Sequence, residues 1–171
     1  MTVLKSINIV TIKTWDELVN SIRKVTFVGD KNLFPYKNAI IESQVLDTND
    51  VFPTGKYALT KSLETQKQLH RLFLKQNIDT LDLGGKISNL KFTVEGEDGS
   101  FLMAPPVVEE SLLDGGKIIL VDGTNRFLLA RSLKRKIRVI LIKNVPTNYP
   151  PMSKPIGWDE VKLRKTVPNV L

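Results

Sequence analysis

The sequence predicts one α/β domain of the α+β kind, a mixed sheet with helices packed on it, and three features lead there. The 171 residues match a single domain with enough length to bury a core. Apolar residues make up 42% of the chain and charged residues 25%, the balance of a soluble globular protein. Apolar patterns of period two alternate along the chain with helical ones, most sharply from Lys117 to Ile142, where strand, helix and strand follow one another.

Val3 to Lys13 alternates β-branched and polar residues around Ile7, Ile9 and Ile12, the pattern of a strand. Thr14 stands three residues before Glu17, so each side chain can satisfy the other's backbone N–H, and Leu18, Val19 and Ile22 give the helix that follows one apolar face. A strand is expected at Ala39–Glu42, then polar connections at Asp47–Asp50 and Pro53–Gly55. Ser62 is the expected cap of a second helix over Leu63–Gln76, with Leu63, Leu69, Leu72 and Phe73 as its buried stripe and Asn77 at its end. Leu90–Val94 and Phe101–Met103 flank the acidic turn Glu95–Gly99, which reads as a hairpin. A strand at Lys117–Val121, a turn at Gly123, a helix from Arg126 to Lys134 and a strand at Ile137–Ile142 then form a unit whose helix is expected to cross the sheet in the right-handed sense. The core should span about residues 39–145. Residues 146–171 carry Pro146, Pro150, Pro151, Pro155 and Pro168, so an extension of the same domain along its surface is expected, with one short helix near Trp158–Leu163.

Composition excludes several chemistries. The chain has no cysteine, which removes disulfides, thiolate metal sites and cysteine nucleophiles. His70 is the single histidine, expected at the helix surface or as a rim contact, and zinc is left without its ordinary ligands. Neither zinc, haem nor flavin is expected. A metal would be of the magnesium kind, with oxygen ligands shared between protein and substrate phosphate. No stretch approaches the ~20 apolar residues of a membrane span. Met1–Lys5 lacks a secretory pattern, so a cytoplasmic protein without a membrane partner is expected.

Charge is unevenly placed. Residues 1–122 carry 14 Lys/Arg against 16 Asp/Glu, whereas residues 123–171 carry 11 against 2, so the net +7 arises from a C-terminal excess. Such a field concentrates anionic partners, or it simply keeps the surface solvated. Within it, Arg131, Lys134, Arg135 and Lys136 can hold nucleic-acid phosphates, or can form the basic end of a helix that the dipole favours.

The most informative stretch is Val121-Asp122-Gly123-Thr124-Asn125-Arg126, where a strand gives way to a helix. The first turn of a helix leaves backbone N–H groups unpaired, and the dipole adds positive charge there. Gly123 admits close approach of the backbone, Thr124 and Asn125 offer short polar side chains, and Arg126 can grip phosphate oxygens in a bidentate fork. The ordinary alternative is a strand–helix turn with no ligand.

A longer context surrounds this turn: Met103-Ala104-Pro105-Pro106-Val107-Val108-Glu109-Glu110 precedes it, and Phe127-Leu128-Leu129-Ala130 follows it. In this the sequence resembles the ParB/sulfiredoxin superfamily, in which a proline-led strand precedes a second strand that ends in a Gly-x-x-Arg turn and helix. The likeness is strongest over Met103–Val145, with a weaker echo in Ala39–Gln76. It implies a sulfiredoxin-like fold, a phosphate-binding pair at Gly123 and Arg126, and a ligand such as ATP or CTP, with magnesium, or another phosphorylated small molecule. It also admits a phosphotransferase or nucleotide hydrolase.

Departures from the superfamily narrow this reading. Sulfiredoxin needs a cysteine where Thr124 stands, so its chemistry is excluded. Partition proteins continue into a DNA-binding helix-turn-helix, for which no pattern is read after Val145, so a partition protein is not expected; the related serine kinases have histidines where Thr124 and Asn125 stand. Two carboxylates are candidate catalytic groups. Asp122 can bind magnesium brought by a nucleotide or accept a proton from an attacking hydroxyl, and Glu42 lies where the kinase relatives are similar in carrying an acidic residue. The alternatives are a turn carboxylate at 122 and a solvated strand residue at 42. The opposing reading of the whole chain is a non-catalytic module that binds nucleic acid or a protein through the basic C-terminal third.

Overall fold

The computed structural model describes residues 4–148 and 154–166, with the backbone alone at 11–13. The expected surface positions of Pro150, Pro151 and Pro168 lie outside the described residues. The fold is α+β, as the sequence predicts: three helices packed on mixed sheets.

In chain order the elements are β1 (Ile7–Lys13), α1 (Trp15–Arg23), β2 (Ile40–Leu46), β3 (Val51–Phe52), β4 (Tyr57–Leu59), α2 (Thr60–Leu74), β5 (Asn89–Val94), β6 (Phe101–Met103), β7 (Val107–Ser111), β8 (Lys117–Asp122), α3 (Thr124–Ser132), β9 (Ile137–Lys143) and β10 (Lys162–Arg164). The principal sheet has the order β2-β9-β7-β8-β3. A second sheet, β1-β5-β6, is antiparallel, and β10 pairs with β4 in parallel.

Strand β9 shows why both faces of the principal sheet are covered. Its run is almost wholly apolar, and successive residues face opposite sides. Ile137, Val139 and Leu141 pack with Leu63 of α2 and Phe127, Leu129 and Ala130 of α3, whereas Ile140 and Ile142 pack with Leu18 and Ile22 of α1. Helix α1 starts where its capping box predicts: the Thr14 hydroxyl accepts from the Glu17 amide at 3.2 Å, and Glu17 accepts from the Thr14 amide at 2.7 Å. The predicted hairpin forms as β5 and β6.

Four expectations are corrected. The helix between Lys117 and Ile142 does not join two neighbouring parallel strands. Strand β7 lies between β8 and β9, antiparallel to β8 and parallel to β9, because a turn with Gly115 and Gly116 at φ of 70° and 79° folds β8 back along β7. The parallel crossover therefore runs from β7 to β9 and contains both β8 and α3. Helix α2 begins at Thr60, and Ser62 sits inside its first turn without capping it. Pairing of Tyr57–Leu59 with β10 holds the chain extended up to Leu59, so the helix can start directly after it. The α2 stripe is also divided: Leu63 joins the principal core, while Leu69 and Phe73 pack with Leu90 and Phe92 under the second sheet. Finally, His70 is buried, with Nδ1 2.7 Å from the Thr80 hydroxyl, so it ties α2 to the following loop.

The C-terminal segment is built into the fold. Its short helix is a single 3₁₀ turn, Trp158–Glu160, followed by β10. The Trp158 indole stacks on Phe127 with centroids 5.8 Å apart and donates to the carbonyls of Thr48 and Val51 at 3.0 and 2.7 Å. A large aromatic surface and a satisfied N–H together hold this segment against α3.

Candidate functional site

Strand β8 ends at Asp122, and Gly123 turns the chain into α3 at φ 101°, a conformation that favours glycine. A side chain at 123 would also strike Pro106, whose Cβ lies 2.7 Å from the position a Cβ would take. Glycine is thus required at 123 by the packing of β8 on the proline-led strand, quite apart from any ligand. The Gly123 carbonyl accepts from the amides of Arg126 and Phe127 at 3.0 and 3.1 Å. No side chain caps α3, and its first turn has no acidic residue. Helix α2 shares both properties: Leu59 offers no cap, and no acid stands in its first turn. Helix α1, by contrast, has a full capping box with Asp16 and Glu17.

The two uncapped helix starts face one cavity of about 410 Å³. One wall is the turn from Asp122 through Gly123, Thr124 and Asn125 to Arg126. The rest of the lining is Tyr57, Ala58 and Leu59 of β4 with Ser62 and Gln66 of α2. The turn residues singled out from the sequence therefore lie together, and the rest of the lining comes from residues with no functional signal in the sequence: Ser62 is the expected cap of α2, and Gln66 lies within that expected helix. Uncapped N–H groups from two helices make this corner electropositive beyond its formal charges.

Arg126 is the centre of the site. It is only 8% exposed, yet Nη1 has no hydrogen-bond partner, and no carboxylate stands within ion-pair distance among the described residues. Burial pulls its pKa down to about 10, while the Asp122 charge opposes that shift, so the guanidinium stays protonated at neutral pH. Asn125 Oδ1 is the other buried side-chain polar atom without a partner among the described residues. An unpaired buried polar group costs about 1–3 kcal/mol, more when charged, so two at one cavity mark a place where a ligand can complete the hydrogen bonding.

The remaining candidates lie elsewhere. Glu42 is on edge strand β2, three strands across the sheet from β8, about 14 Å at ordinary strand spacing, and pairs with Lys143. It does not line the cavity. Glu109 is buried and accepts from the Tyr36 hydroxyl at 3.0 Å; burial raises its pKa. Arg131, Lys134, Arg135 and Lys136 border a separate hollow, but the two arginines are engaged. Arg131 donates to Asn49 Oδ1 at 2.9 Å and lies over the Trp158 ring, and Arg135 is paired with Asp79. Among the described residues no group of three or more His, Asp or Glu could hold a metal, and no helix is long and apolar enough to cross a membrane.

A family model described as the ParB CE domain matches residues 17–162, from the first helix to the last strand. No curated protein and no solved structure gives a match.

Proposed function

Because the chain belongs to the ParB CE domain family, and because its β8–α3 turn borders a cavity with an unpartnered guanidinium, we propose that it binds the phosphate groups of a nucleotide at this turn. The observation that carries the reading is Nη1 of Arg126. A buried cation with a vacant donor is costly in a free protein and becomes favourable when an anion accepts from it. Phosphate oxygens suit the remaining donors as well, since the leading amides of α3 and α2 have no acceptor within their own helices.

Asp122 borders the same cavity, and its carboxylate would repel a phosphate chain unless a cation stood between them. One carboxylate plus phosphate oxygens is an ordinary ligand set for magnesium, so Asp122 fits a nucleotide that arrives with that metal. Bound there, magnesium would neutralise phosphate charge. Of the two carboxylates considered for catalysis, Asp122 alone borders the cavity, which makes it the candidate proton acceptor if a phosphoryl group is transferred.

Calorimetric titration with ATP and CTP, with and without magnesium, tests the proposal. Saturable binding that disappears in Arg126→Met, with the variant still folded by circular dichroism, supports it. Equal affinity in the two proteins would reject the site. A second reading, nucleic acid bound on the basic face, has Lys134 and Lys136 in its favour, both exposed and without an ion pair among the described residues. It calls for DNA or RNA affinity that falls steeply with salt and falls again when those two lysines are neutralised.

A further inference from the structure

We infer that the part of this cavity lined by β4 and α2 is a base-binding subsite, with Tyr57 as the stacking platform and Gln66 reading the edge of the base; this rests on the phosphate reading above. Tyr57 is the single aromatic residue among the described residues that line the cavity, and it remains 43% exposed. Its ring is held from outside the cavity lining. Strand β10 runs parallel to β4, with Lys162 opposite Tyr57 and Arg164 opposite Leu59, and the Arg164 guanidinium carbon lies 3.6 Å from the centre of the Tyr57 ring. A cation against the ring restrains its orientation, which lowers the entropic cost of stacking a second planar group on it.

Gln66 is four residues beyond Ser62 on α2, so the two share the helix face that borders the cavity. It is half-buried, and its amide makes no hydrogen bond to another described residue. An amide offers a donor and an acceptor side by side, which is what the polar edge of a nucleobase requires. The cavity thus divides by chemistry. The β8–α3 turn contributes a guanidinium and backbone amide donors, and β4 with α2 contributes an aromatic ring and a side-chain amide. A ligand with phosphate at one end and a planar heterocycle at the other fits both. The volume of about 410 Å³ falls within the range of small-molecule sites.

The test compares the magnesium complexes of ATP and CTP with inorganic tripolyphosphate, titrated calorimetrically into the full chain and into Tyr57→Ala and Tyr57→Phe. In the native protein at least one nucleoside triphosphate should bind about tenfold or more tighter than tripolyphosphate, the scale of one base–aromatic stack. Tyr57→Ala should erase that preference while leaving tripolyphosphate affinity unchanged, and Tyr57→Phe should retain it. Equal affinity of tripolyphosphate and both nucleotides for the native chain would overturn the subsite and leave the phosphate site standing. So would a Tyr57→Ala variant that weakens all three ligands alike. If none of the three binds the native protein, the phosphate reading itself fails and the subsite falls with it.

Discussion

Replacing Arg126 by methionine should make the ligand-free protein more stable while abolishing its affinity for nucleotide. The guanidinium is buried with Nη1 unpartnered, and burial draws its pKa down to about 10. A displacement of that size corresponds to about 3 kcal/mol against the charged form. The folded value is lower than the unfolded one, so the unfolded chain holds the proton more firmly. Folding therefore bears this cost at neutral pH, and the cost fades as pH rises from about 10 toward the unfolded value. Methionine preserves much of the apolar stem that packs in the interior and removes the charge. Apolar replacements of buried ions commonly gain about 1–4 kcal/mol, and some packing is lost here, so a net gain of about 1–3 kcal/mol is expected. In a chain of 171 residues that raises the melting temperature by roughly 2–12 °C.

Urea unfolding and thermal melts of the two proteins, each with and without nucleotide, provide the assay. Native protein at about a hundred times Kd should gain close to 2.7 kcal/mol from the ligand, and the variant nothing. The decisive comparison is without ligand. A methionine variant less stable than native by more than about 1 kcal/mol would mean that Arg126 holds the fold together, and that its open donor is no vacancy for an anion.

Three further outcomes are expected. Gly123→Ala should lower stability by roughly 2–4 kcal/mol in urea, since positive φ and the 2.7 Å approach to Pro106 both penalise a Cβ; a native-like midpoint would contradict that geometry. Trp158→Ala should cost roughly 3 kcal/mol through loss of the Phe127 stack and two indole hydrogen bonds, and Trp158→Phe, which retains a ring, should cost less; equal urea midpoints for the two would dismiss the stack. Burial raises the Glu109 pKa, with the Tyr36 hydrogen bond opposing, so the folded chain holds that proton more firmly and the stability it lends is lost as pH rises through the folded value. Glu109→Gln should flatten this decline in urea midpoints measured between about pH 4 and 8; an unchanged slope would exclude Glu109 as its source.

What the sequence could determine by itself was local. Thr14 and Glu17 specify a helix start because a capping box needs only four consecutive residues, and the acidic turn between Leu90 and Met103 specifies a hairpin for the same reason. The turn at Asp122–Arg126 was legible as a helix entrance with polar residues and an arginine, because strand, glycine and helix follow within one short stretch. Tertiary structure alone decided the rest. Periodicity tells which face of an element is buried but not against what, so it could not insert β7 between β8 and β9 or divide the α2 stripe between two cores. It could not show that Pro106 demands glycine at 123, that Glu42 lies at the far edge of the sheet, or that Arg164 backs Tyr57, since each depends on residues distant in sequence. The unpartnered Nη1 of Arg126 is of this kind too: an arginine is unpaired or satisfied according to what the folded chain brings beside it, and no spacing along the chain records that.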